Sequence, residues 1–259
     1  LTLPGVRPLI LLALLARVPV TATGITLTLH VVLDLHRGYG AAGLVGAAAT
    51  VGSALGAPLL GRLVDQRGLR LMLAITTTAE AVFWSLAPLL PYPALLVAAF
   101  LGGLLTLPVF SVVRQSMAAL VPESQRRPAY ALDSMSVELS FMVGPALAVL
   151  LVAAVSARTT MYCVGTGVVL AGIALFVLNP PVRGAEETQV NAVPVRRRDW
   201  LNCHLGALLV AGTAATLVLA GSDVALVAVL REAGQVGWIA PVTALWAIYS
   251  LAGGFVFGA

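Results

Sequence analysis

Charge is scarce in this chain. Of its 259 residues only 10% are Asp, Glu, Lys or Arg, against roughly 25% in an average soluble domain. Lysine is missing altogether, so all 15 basic residues are arginine. A water-facing surface of normal size cannot be built from so few charges, which excludes single-domain soluble enzymes, nucleic-acid-binding domains and disordered chains. Cysteine is nearly absent too. Cys163 and Cys203 both sit in or beside apolar stretches, so they form no disulfide framework and read as small core or lipid-facing hydrophobes. The three histidines, His30, His36 and His204, show no metal-ligand spacing and no nucleophile–base grouping, so neither an enzyme, a metal site nor a cofactor is expected.

What the chain has in abundance is apolar length. Hydrophobic residues make up 59% of it and the mean hydropathy is +0.99. A helix crossing a bilayer needs about 20 such residues. Apolar runs near 8–33, 40–61, 71–90, 94–116, 129–154, 159–179, 202–230 and 236–258 predict an all-α polytopic membrane protein with eight transmembrane helices in the lipid bilayer. Pro91-Tyr92-Pro93 leaves room only for a tight hairpin between the third and fourth. The first run is no cleavable signal peptide, because it is too long and Arg17 interrupts it.

Arginine placement gives the orientation. Arg7, Arg62, Arg67, Arg70, Arg114, Arg126, Arg127, Arg183, Arg196, Arg197 and Arg198 share one side, and only Arg37, Arg158 and Arg231 fall on the other. The positive-inside rule then predicts cytoplasmic N- and C-termini. The net charge of +4 and pI near 9.6 thus mark topology, and no nucleic-acid partner is expected. The one long polar stretch, Pro181 to Asp199, carries Glu186, Glu187 and the three consecutive arginines. It predicts three parts: a six-helix bundle at 1–180, a cytoplasmic linker at 181–200, and two helices of a second bundle at 201–259.

An internal repeat supports that division. Ser53, Gly56 and Gly61 near the end of the second run recur as Ser250, Gly253 and Gly258 near the end of the eighth. Parallel repeats of this kind build transporters around an axis normal to the membrane. After the second run comes Gly61-Arg-Leu-Val-Asp65-Gln-Arg67-Gly68-Leu-Arg70. It resembles the loop between helices two and three of the major facilitator superfamily, Gly-x-x-x-Asp-(Arg/Lys)-x-Gly-(Arg/Lys)-(Arg/Lys). Gly61, Asp65, Gly68 and Arg70 match, while Gln66 and Leu69 depart and Arg67 stands in for a basic residue. The resemblance implies an inner gate at this loop, with Gly61 for close packing, Gly68 for a sharp turn, and Asp65 capping a helix or pairing with an arginine.

It extends from about residue 5 to the end of the chain. Residues 114–145 resemble the fourth-to-fifth helix region of bacterial exporters in the superfamily, and Gly144-Pro145 its fifth-helix antiporter motif, half present because Ser140 and Ala148-Val149 replace glycines. A kink-and-packing role for Gly144 and Pro145 is the alternative reading. The mid-helix-four arginine common in proton-coupled exporters is missing from Ala98-Ala99-Phe100-Leu101-Gly102-Gly103. Two parallel six-helix halves would need twelve helices and roughly 400 residues, so the chain is expected to be a truncated carrier.

Arg17, Glu80 and Glu138 each fall about ten residues into a run, so at 1.5 Å per residue they lie roughly 15 Å deep in a core about 30 Å thick. A central charge costs roughly 2.5–3.5 kcal/mol to insert. Helices one and five are neighbours in the fold that the resemblance implies, which pairs Arg17 with Glu138. Glu80 reads as a protonated carboxyl or one bonded to Thr76 or Thr77. Asp133, nearer the inner face, reads as a gate cap or ion pair, and Glu138 as a substrate-cavity or proton-carrying carboxylate. Thr21, Thr23, Thr26 and Thr28 line a pathway or bond carbonyls of their own helix. Together these features predict a plasma-membrane secondary transporter, expected as a monomer, exporting small hydrophobic or amphipathic molecules by alternating access, with protons as a candidate coupling ion. An uptake carrier for a small organic solute and a non-transporting membrane scaffold are the alternatives.

Overall fold

A computed structural model describes residues 6–183, 203–235 and 238–258. All regular structure among them is helical. α1 (Val6–Leu29) continues into a π-helical turn at His30–Asp34, and α2 (Tyr39–Arg67) and α3 (Leu69–Leu86) follow. Then come α4 (Tyr92–Leu104), α5 (Val109–Leu120), α6 (Arg126–Ala154) and α7 (Ala157–Leu178). α8 (Cys203–Glu232) and α9 (Ile239–Gly258) complete the order. Six stretches among the described residues are long and apolar enough to cross a bilayer: Pro8–Asp34, Tyr39–Arg67, Leu69–Leu89, Tyr92–Leu120, Glu123–Ala154 and Ala157–Leu178. They coincide with the first six apolar runs, and α8 and α9 with the last two. The polar segment expected as a linker, with Glu186, Glu187 and Arg196 to Arg198, lies almost wholly outside the described residues. The chain divides into two compact units, the first holding α1 to α7 and the second α8 and most of α9.

The fourth span departs from the single helix expected over 94–116. It is two half-helices, α4 and α5, separated at Leu105–Pro108. The cause is local. Pro108 has no N–H to donate, and the residue before a proline is driven out of the helical region. Such a break inside a membrane is tolerated only where other protein groups satisfy the freed backbone.

Lipid tails are as apolar as leucine, so helices in a bilayer associate through close packing and hydrogen bonds rather than hydrophobic burial. The first unit does this with glycine. α2 packs most extensively on α4, α1 on α6 and α7, and α3 on α7. Gly52 and Gly56, one turn apart on α2, face the backbone carbonyls of Phe100 and Leu104, and Gly103 of α4 returns the contact against Ala49. On α6, Gly144 sits against the Val18 carbonyl and the Thr21 hydroxyl of α1. Gly165 and Gly172 of α7 receive Trp84 and Thr77 from α3. Gly61 does not share this role. The expected close approach there is absent: a Cβ on Gly61 would meet nothing within 4 Å, because α2 has already run past α4 and Gly61 is exposed. The turn residue is placed as expected. Gly68 adopts φ +84°, and its N–H caps α2 on the Val64 carbonyl at 2.9 Å.

The two glycines of the repeat should therefore respond oppositely to one methyl group. Gly56→Ala, forced against backbone, should lower stability by about 1–3 kcal/mol. Gly61→Ala should be neutral or raise it by up to about 1 kcal/mol through helix propensity. Thermal unfolding of the two purified variants in the same detergent checks the contrast.

Candidate functional site

The most deeply buried charge is Arg17, 1% exposed. Its Nη2 donates to Asp133 Oδ1 at 2.6 Å and its Nη1 to Ser136 Oγ at 3.2 Å. Asp133, 2% exposed, accepts on its other oxygen from Arg114 Nε and Nη2 at 3.3 and 3.2 Å. One carboxylate thus lies between two guanidiniums, and the cluster keeps one net positive charge. Arg17 also stands over the Phe110 ring, 5.2 Å from its centroid, and Phe110 stacks on Phe141 at 6.0 Å. A cavity of about 270 Å³ opens beside them, lined by Arg17, Phe110, Ser111, Arg114, Val137 and Phe141. Arg17 Nε has no hydrogen-bond partner among the described residues. Chemically, the arrangement offers aromatic walls and unspent guanidinium donors.

Arg17 does not pair with Glu138, as its depth had suggested. Depth is only one coordinate. Asp133, Ser136, Ser140 and Gly144 recur at helical spacing and share one face of α6, the face on α1: Thr21 Oγ1 donates across to the Ser140 carbonyl at 2.7 Å. Glu138 is five positions from Asp133, which turns it about 140° away around the helix. Helical side chains also lean toward the N-terminus, so Arg17 reaches back to Ser136 and Asp133. Glu138 is half-buried and makes no hydrogen bond or ion pair among the described residues. The sequence marks Arg114 only as a topology arginine and gives Ser136 no role, although the Asp133–Ser136–Ser140–Gly144 stripe is at helical spacing.

Glu80 is 8% exposed on α3, and its partners are not Thr76 or Thr77. Thr76 Oγ1 donates to the Met72 carbonyl of its own helix at 3.0 Å, and Thr77 Oγ1 has no partner among the described residues. Glu80 Oε1 instead accepts from Thr106 Oγ1 at 2.9 Å and from the Leu107 backbone N–H at 3.1 Å, and Oε2 from Trp84 Nε1 at 2.9 Å. The carboxyl group therefore satisfies the break in the fourth span and sits at the start of α5, where helix-dipole charge favours an anion. Depth counting found the residue. Its partners were hidden because they depend on where the helix breaks.

At the far end of α1, His30 is fully buried, its Nδ1 2.7 Å from Asp34 Oδ2 within the π-helical turn. Thr23, Thr26 and Thr28 spend their hydroxyl protons on carbonyls of α1. In the loop after α2, Asp65 pairs with Arg183 at 2.8 Å, both well exposed, and Arg70 lies over Phe176. The α2–α3 junction and the end of α7 are thereby held at one end of the bundle. Arg67 is exposed. Pro145 lies within α6, next to the Gly144 contact with α1.

Among known proteins, the family model of the Major Facilitator Superfamily matches residues 9–259. No curated protein and no solved structure matches the chain. The buried cluster itself yields a sharp expectation. Removing one partner of a buried ion pair strands the other and costs about 3–5 kcal/mol, whereas removing both is often neutral. Asp133→Asn should therefore destabilise the protein by that order, and Arg17→Met combined with Asp133→Leu should recover most of the loss, Arg114 being free to solvate. Chemical unfolding of the single and double variants measures this.

Proposed function

The chain belongs to the major facilitator superfamily of membrane secondary transporters, and from that premise we propose that it serves an efflux carrier for small amphipathic molecules in the plasma membrane. The observation that carries this reading is the cavity of about 270 Å³ beside Arg17. Stacked Phe110 and Phe141 offer an apolar body a place to lie, and the surplus positive charge of Arg17, Arg114 and Asp133 suits an acceptor or anionic group on it. Few neutral amide side chains line it, which favours such a molecule over a sugar. The broken fourth span adds support, because discontinuous helices accompany binding sites in transporters.

The mechanism under this reading is alternating access. Two bundles rock about a midplane site, and the substrate drives the change only by binding one state better than the other. The six spans would be the first bundle, residues 181–200 the linker, and α8 and α9 the start of the second. Arginines at Arg62, Arg67, Arg70, Arg114, Arg126 and Arg127 would mark the cytoplasmic side, with the N-terminus on it. Asp65, released from Arg183, would serve the inner gate, whose turn Gly68 supplies and whose close helix packing falls to Gly56 rather than Gly61. Glu138, half-buried without a partner among the described residues, is the carboxylate available to carry a proton, since no arginine occupies the middle of α4.

Two measurements test these claims separately. In inside-out vesicles prepared from cells expressing the carrier, an acidic interior should drive uptake of a fluorescent amphipathic dye, and an opposite direction of counterflow would make it an importer. Glu138→Gln should flatten the dependence of that flux on pH by roughly tenfold at its steepest point; an unaltered pH profile would remove the proton role from Glu138.

A further inference from the structure

A second cavity, of about 270 Å³, lies inside the first unit at the break in the fourth span, away from the Arg17 cluster. We propose that it is a binding site for a small protonated amine, held by the Glu80 carboxylate. The inference goes beyond the export reading and does not depend on the direction of transport.

The donor and acceptor inventory of its wall carries the claim. Glu80 lines the cavity together with Trp84, Phe83, Thr23, Thr50 and Thr106. Each threonine hydroxyl has already given its proton away: Thr23 to the Val20 carbonyl, Thr50 to the Gly46 carbonyl and Thr106 to Glu80 itself. The Trp84 N–H is likewise spent on Glu80. What the threonines present to the cavity is therefore lone pairs, and Ser53 keeps the one spare hydroxyl proton in the wall. A carboxylate offers about four acceptor positions, and three are filled, so one is open. No arginine or histidine lines the cavity, and Glu80 has no ion pair among the described residues. With the threonine and indole protons spent, a single spare hydroxyl at Ser53 and no basic side chain in the wall, an ionised Glu80 selects a ligand with a positive charge and several donors, which is an alkylammonium group. The edge-to-face pair Phe83 and Trp84, 5.2 Å between centroids, gives the alkyl part an apolar surface and the cation aromatic faces. The cavity volume exceeds what a bare metal ion would fill and matches a molecule of a few carbons.

The test uses the full chain in lipid nanodiscs with Trp200, Trp238 and Trp246 changed to Phe, so that Trp84 alone reports. Cyclohexylammonium chloride should change the fluorescence saturably, and cyclohexanol, of the same shape without charge, should not. Glu80→Gln should weaken binding roughly tenfold or more, the loss expected for a charge-assisted hydrogen bond. Because Glu80 also satisfies the helix break, that variant can lose its fold. Ser53→Leu, which fills the cavity from α2 without touching a Glu80 partner, should abolish the cyclohexylammonium response and leave the unliganded thermal transition in place. Equal binding of cyclohexanol, a response that survives Ser53→Leu, or saturation by sodium ion alone at the same concentrations would each overturn the proposal. Dye flux in vesicles is read separately, so loss of transport with the amine response intact would count against the export reading only.

Discussion

Everything in the first unit is arranged around a guanidinium that cannot reach water. Arg17 is 1% exposed in a helix whose other face meets lipid. A charge in that position is tolerable only when protein groups replace its hydration. The cost is met from three directions: Asp133 and Ser136 on α6, the Phe110 ring on α5, and Arg114 neutralising the far side of Asp133. These contacts decide the register of α1 on α6. Once Arg17 reaches Asp133, Thr21 falls opposite the Ser140 carbonyl and Gly144 against Val18. The glycine is needed because a polar anchor a few ångströms long pulls the two backbones close.

The same rule acts at Glu80. Pro108 breaks the fourth span inside the bundle and leaves the Leu107 N–H and the Thr106 hydroxyl without helical partners. A carboxylate from another helix takes both. Neither site is a salt-bridged surface ornament. Each acidic side chain is present because a specific set of donors would otherwise be buried unpaired.

How much of this could be read in the residues follows from the kind of periodicity each feature has. The spans were legible because bilayer thickness imposes a length on every one, and the loop Asp65 to Gly68 because a positive-φ turn demands glycine. Depth, a one-dimensional count, located Arg17, Glu80 and Asp133. Pairing was not legible from depth, since it depends on the angle around the helix, and Glu138 failed on that coordinate alone. The Glu80 partners were further out of reach. They exist only because a proline at 108 stops a helix that composition would continue, and the break moves a backbone N–H into range of another helix.

The two acidic sites meet on one element. α5 is 12 residues long and begins at the break that Glu80 satisfies. One turn further on it carries Phe110 and Ser111, and then Arg114, which Asp133 holds. Carboxylates supplied by other helices therefore hold it at two points, α3 at its start and α6 along its length. The α2–α4 pair is locked differently, by glycine against backbone, and α3–α7 by glycine against the Trp84 and Thr77 side chains, which allows little adjustment without loss of packing. α5 thus adds two charged attachments to the packing of Val109, Val112, Val113 and Met117 in the core. A ligand that draws the Glu80 carboxylate away from Thr106 and Leu107 would loosen the start of α5, and thereby the wall that presents Phe110 and Arg114 to the other cavity. A change at Asp133 acts on the same wall from the opposite side. The short helix after Pro108 thus links two cavities of opposite electrostatic character, one acidic and one with surplus arginine. The proline that interrupts the fourth span supplies the Glu80 half of that linkage, because an unbroken helix would hold its own backbone and offer Glu80 no Leu107 N–H.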